Sequence, residues 1–153
     1  MTDRSVEQLG AALADAGLPS LPSRVFSALL VDDDGRMTSA ELTEVLGVSP
    51  AAISGAVKYL AHLQMLRRER ERGSRRDVYV VDDDAWHGAM MRRDQAYAPI
   101  LRALQAAVDD LGTGAPAYRR LMLTAEFLRF VDAELEQLAD RWAAHREEFE
   151  RRL

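Results

Sequence analysis

The stretch TSAELTEVLGVSPAAISGAVKYLAHLQ, Thr38 to Gln64, continues as MLRRERERGSRRDVYVV, Met65 to Val81, and its reading decides the fold. The first part reads as two short helices with a tight joint. Thr38 or Ser39 can cap a helix over residues 40–46, because a hydroxyl there accepts from the free N–H groups of the first turn. Glu41 and Glu44 stand near that helix's start, where the helix dipole favours negative charge. Gly47 occupies the place where helices commonly end in left-handed backbone. Ser49-Pro50 restarts the chain at once, with serine as cap and proline in the first turn, where its missing N–H costs nothing. The second helix extends from Pro50 to about Leu63. It buries Ile53, Val57 and Leu60 and leaves Ala51, Ser54, Gly55 and Lys58 on the other face. After Met65 the period changes. Residues 66–72 and 77–81 read as short extended segments around Gly73-Ser74, a β-hairpin.

Helix, three-residue turn, helix and arginine-rich hairpin, in that order, make the winged helix-turn-helix plan. The fold class expected is mainly α with a small β-hairpin wing. Each part has a physical use toward double-stranded DNA. A small outer face lets helix backbone approach base edges in a major groove that just admits a helix. The free N–H groups at Ser49 suit a phosphate. Arginines near a hairpin tip suit the minor groove, where negative potential is deepest. The DNA-contacting candidates on the helical part are therefore Thr38, Ser39, Ser49, Pro50, Ala51, Ser54, Gly55, Lys58 and Tyr59. On the hairpin they are Arg68, Arg70, Arg72, Ser74, Arg75 and Arg76, with Arg75 or Arg76 entering the minor groove.

The overall charge of −5 argues against a nucleic-acid partner until it is divided along the chain. Residues 67–81 hold six arginines against three acids, a local +3. Attraction to phosphate is a local field effect, so a concentrated patch outweighs the total. Nineteen of the twenty basic residues are arginine, a usage typical of GC-rich bacterial genomes.

The flanks are helical. Val6, Leu9 and Leu13 recur at helical spacing from Ser5 to Ala16, and Gly17 ends that run. Pro19 and Pro22 stiffen the connector to a helix over 23–31, and Asp32-Asp33-Asp34-Gly35 reads as a turn. A helix is expected from Ala85 to Leu111 with a bend or break at Pro99, and a last helix from Pro116 to the end. In that last helix Leu121, Leu128, Leu135 and Trp142 recur every seven residues, with Val131 and Leu138 between them. Such a seam pairs helices, either within the chain or with a second copy. The organisation expected is a DNA-binding domain over 21–84 and a dimerising region made of 1–20 and 85–153.

Other chemistries find little support. The chain has no cysteine, which excludes disulfides, thiolate metal sites and thiol nucleophiles. His62, His87 and His145 lack metal-ligand spacing, and the triplets Asp32–Asp34 and Asp82–Asp84 suit turns and helix caps better than a calcium loop. No catalytic site, metal or cofactor is expected. No signal-peptide core or spanning segment is seen, so a cytoplasmic protein is expected. Phe26, Tyr59, Trp86, Met90, Met91 and Tyr97 either line a ligand cleft or simply pack.

The segments Leu42–Ser49 and Ala52–Leu60, followed by Leu66-Arg67-Arg68, Gly73-Ser74-Arg75-Arg76 and Tyr79, resemble the MarR family, closest to its GbsR-like branch. The resemblance spans roughly residues 17–82. It implies a homodimeric regulator, usually a repressor, on a pseudo-palindromic operator, released in many relatives by a small aromatic or amphiphilic compound. It also implies that the first helix and the last two of each subunit entwine with the partner's, a use that Val6, Leu9 and Leu13 fit. The alternative is a winged-helix module that binds a protein rather than DNA, favoured by the acidic total and by Lys58 as the single cation on the second helix.

Overall fold

The computed structural model describes residues 3–70, 73, 76–91 and 94–153. They fall into two compact units, Met1–Ala89 and Met90–Leu153.

The first unit opens with α1 (Asp3–Asp15) and α2 (Ser20–Val31), and continues through β1 (Arg36–Thr38), α3 (Ser39–Leu46) and α4 (Pro50–His62). It ends with β2 (Arg67–Arg70), β3 (Asp77–Val80) and the first residues of α5 (Ala85–Met91). Its core is built on α2, whose Val25, Phe26, Ala28 and Leu29 have no solvent exposure. Leu42 of α3 and Ile53 and Leu60 of α4 complete the same cluster. Val6 and Leu13, expected to face a partner chain, instead belong to this core, and Leu9 packs half-buried against it. The reason is that the apolar stripe of α1 meets α2 within its own unit.

The two helices at the centre form as the sequence indicates. Gly47 closes α3 at φ +65°, with its N–H donating to the Thr43 carbonyl. A side chain in that left-handed conformation costs about 1–2 kcal/mol. Gly47→Ala is expected to lower stability by about 1 kcal/mol in urea denaturation, although its Cβ would meet no neighbour within 4 Å.

The sheet has three strands in the order β1-β3-β2, all antiparallel. The hairpin β2–β3 was expected and β1 was not. Three residues are too few to show a period of two. β1 is held by one nearby and one distant residue: Asp32 Oδ2 accepts from the N–H groups of Asp34 (3.3 Å) and Arg36 (3.1 Å), and Val81 N–H donates to Gly35 O (2.9 Å). Gly35, at φ +63°, approaches the Val81 carbonyl so closely that a Cβ would lie 3.1 Å from it.

The second unit pairs α6 (Asp94–Leu111) with α7 (Tyr118–Glu150). The helix expected over 85–111 is described as α5 up to Met91 and as α6 from Asp94, and the break expected at Pro99 does not occur, because α6 runs through the proline. Pro99 forfeits one backbone hydrogen bond without ending the helix. Leu121, Leu128, Val131 and Leu135 form the half-buried side of α7, with Ala125 buried among them. Leu138 and Trp142 are 40% and 37% exposed. No helix of the described residues is long and apolar enough to cross a membrane.

Candidate nucleic-acid interface

α4 divides as its sequence indicates. Ile53, Ala56, Val57 and Leu60 are buried, while Pro50, Ala51, Ser54, Gly55, Lys58 and Tyr59 lie on the exposed side. Ser49 caps it, its hydroxyl accepting from Ala52 N–H at 3.2 Å. Pro50 has no N–H and Ile53 N–H donates to Ser49 O at 3.1 Å, which leaves Ala51 N–H at the positive end of the helix, where an anion is favoured. Gly55 stands mid-helix with open space where its Cβ would be. The fold does not require a glycine there, and it costs about 0.5–1 kcal/mol relative to alanine.

The start of α3 carries a full capping box. Thr38 Oγ1 accepts from Glu41 N–H at 3.3 Å, and Glu41 Oε2 accepts from Thr38 N–H at 2.7 Å and from its hydroxyl at 2.8 Å. These bonds, the Thr38 N–H first, hold the Glu41 carboxyl below its ordinary range, with Arg76 adding a smaller attraction. Thr38→Ala is therefore expected to cost about 1 kcal/mol at neutral pH. Glu41 is a depressed acid, so its share is complete above the ordinary carboxylate range and is lost as pH falls through its lowered value. The difference between wild type and variant in urea denaturation should shrink accordingly.

Thr38, Ser39 and Ala40 share an open cleft of about 330 Å³ with Arg76, Asp77 and Tyr79 of the wing. The structure thus brings the start of α3 beside the wing, an adjacency that the linear sequence does not display. Of the wing residues singled out, Arg72, Ser74 and Arg75 lie outside the described residues. Arg70 is exposed. Arg68 is bound to Asp77 across the hairpin. Arg67 Nη2 lies 2.9 Å from Glu69 Oε1, and its Nη1 bonds Asp82. Arg36, which sequence reasoning passed over, lies 3.8 Å from the other Glu69 oxygen. Its signal was the register, since Arg36 and Arg67 both pair with Val80.

Among the aromatic candidates, Phe26 is fully buried and meets Trp86 edge-on, with ring centroids 6.0 Å apart at 87°. Tyr59 lies on the exposed side of α4, and Tyr97 is half-buried in the second unit. The side chains of Met90 and Met91 lie outside the described residues. No cluster of three metal-ligating side chains occurs among the described residues.

Two family models match the chain on consecutive segments. One, for the MarR family, covers residues 16–77, the helix-turn-helix and part of the wing. The other, for MmpR5-like MarR family transcriptional regulators, covers residues 84–146. The chain belongs to the MarR family. It is a winged helix-turn-helix transcription regulator, a DNA-binding protein of a non-enzymatic family. The second match points to an MmpR5-like relationship, and the GbsR-like branch finds no counterpart in it. A solved transcriptional regulator has the same fold, at 25% identity, with a TM-score of 0.81 over 92% of this chain and 97% of that one. Bordetella bronchiseptica BpsR, whose DNA binding is regulated by 6-hydroxynicotinic acid, aligns at 19% identity over 84% of each chain, TM-score 0.42. AbsC, a MarR family regulator from Streptomyces coelicolor, aligns at 20% identity over 93% and 87%, TM-score 0.44. No curated protein matches the chain.

Proposed function

We propose that this MarR-family regulator acts in the cytoplasm as a homodimer on a pseudo-palindromic operator. α4 lies in the major groove and the wing tip, through Arg75 or Arg76, in the adjacent minor groove. Repression by occupancy, relieved by a small aromatic or amphiphilic compound, is what the family resemblance implies. The observation that carries the reading is the outer face of α4. It is exposed, capped by Ser49, free of bulky side chains until Lys58 and Tyr59, and interrupted by a glycine that the fold does not need. A glycine kept at a cost to the helix is accounted for when another surface must come close.

The test is a pair of measurements on Gly55→Ala. Its stability should rise by about 0.5–1 kcal/mol, the difference in helix propensity. Its affinity for duplex DNA should fall, because the added methyl stands where the groove floor approaches. A variant that is more stable and binds as tightly as wild type contradicts the placement of α4. Absence of salt-sensitive binding to any duplex contradicts DNA binding and restores the protein-partner alternative.

Pairing of two copies is supported by a face of α7 opposite its half-buried side. Leu123, Phe127 and Phe130 are 57%, 63% and 60% exposed and follow one another at helical spacing. Large apolar side chains grouped in this way mark an interaction surface. The flanking charges favour a second copy as the occupant. Arg120 lies seven residues before Phe127 and Glu134 seven after, on the same face. Two α7 helices crossing antiparallel at Phe127 would therefore set each Arg120 against the partner copy's glutamate at the same spacing.

A further inference from the structure

The wing carries its own acids on its arginines. Arg68 is bonded to Asp77, its diagonal neighbour across the β2–β3 hairpin, where Asp77 stands opposite Arg70. Arg67 is held on two sides, by Glu69 through Nε at 3.0 Å and Nη2 at 2.9 Å, and by Asp82 through Nη1. The same Glu69 carboxylate faces Arg36 at 3.8 Å. The alternation of the strands separates these groups. Arg67 and Glu69 lie on one face of β2 with Val78 and Val80, whereas Arg68 lies on the other with Tyr79. Each face of the wing root thus holds arginine already matched by carboxylate.

We propose that Asp77 and Asp82 restrain non-specific DNA binding by occupying Arg68 and Arg67, so that unselected duplex meets a wing root with little net charge. The inference rests on the DNA-binding reading above. Its physical basis is the counterion count. A cation that neutralises a phosphate releases a bound counterion and steepens the salt dependence of binding by about 0.9 in log–log slope. An arginine held on a carboxylate contributes less than that, because reaching a phosphate leaves an aspartate uncompensated beside a polyanion. These pairs are exposed, with side-chain accessibilities of 29–63%. They therefore add little to stability, and electrostatic restraint accounts for them better than folding does. Arg68 holds Asp77 below the usual carboxylate range. The Arg68–Asp77 part of the restraint therefore persists across neutral pH and lapses only in acid.

The test compares wild type with Asp77→Asn/Asp82→Asn on a random-sequence duplex of about 30 bp, by fluorescence anisotropy across a salt series. Asparagine keeps the shape and removes the charge. Release of Arg68 should steepen the slope by about 0.9, with a smaller gain from Arg67, which Glu69 still holds, and should tighten binding several-fold at the low-salt end. Affinity for a site enriched from a random library should rise less, so the specificity ratio falls. An Asp15→Asn variant, which removes an exposed charge on α1, controls for net charge alone. An unchanged slope, weaker binding, or an equal gain from Asp15→Asn overturns the proposal. Wild type showing no salt-sensitive binding would defeat the DNA reading and this inference together. Normal wild-type binding with an unmoved double variant defeats this inference alone.

Discussion

Phe127→Asp/Phe130→Asp is expected to sediment as a monomer and to lose operator binding by a factor on the order of 10²–10⁴, the range in which linked binding exceeds either half alone. Each phenyl removed from an interface forfeits about 1.5–3 kcal/mol of apolar burial, and each carboxylate introduced would be desolvated without a partner. The two positions are about 60% exposed within the chain, so the variant should fold as wild type does. Circular dichroism and the melting temperature check that point. The seam of Leu128 and Leu135 is a poorer place to test pairing. Both are half-buried in their own unit, and aspartate there would disturb the chain itself. A Phe127→Asp/Phe130→Asp protein that remains dimeric at micromolar concentration would remove this face from the interface.

Arg75→Ala/Arg76→Ala is expected to weaken operator binding by about 1–3 kcal/mol for the arginine that enters the groove, with a smaller loss for its neighbour. That corresponds to a tenfold loss for each 1.4 kcal/mol. The salt slope should fall by up to about 1.8 for the pair. Stability and oligomeric state should stay as in wild type. The wing must bear this load because α4 presents only Lys58 as a cation, and because Arg67 and Arg68 at the wing root are matched by Glu69, Asp77 and Asp82. Gel-shift affinity at fixed salt, measured for the double variant and each single variant, separates the two arginines. Unchanged affinity in the double variant would remove the wing tip from the interface.

The central motif was legible in the sequence because its signals are local. Hydroxyls at Thr38 and Ser49, a glycine at 47, a proline at 50 and the spacing of Ile53, Val57 and Leu60 each act within one or two turns. The parts that were not legible depend on distant partners. β1 is three residues long and exists because Asp32 and Val81 hold it. Val6 and Leu13 show the same stripe whether they meet α2 or another chain, and only the fold shows that they meet α2. Pro99, which should announce a break, sits inside α6. For the candidate interface the sequence indicated the exposed side of α4, but it did not show how the hairpin's charges pair. A count of six arginines against three acids does not reveal that Asp77 reaches Arg68, or that Asp82, just beyond the counted stretch, reaches Arg67.

The most direct measurement is selection of bound duplexes from a random library with the wild-type protein at physiological salt, followed by sequencing of the enriched pool. A homodimer reading DNA through two copies of α4 should enrich a two-fold symmetric site whose half-site centres lie about 10 bp apart, one turn of the helix. An enriched site without symmetry, or no enrichment over the starting pool, would contradict it.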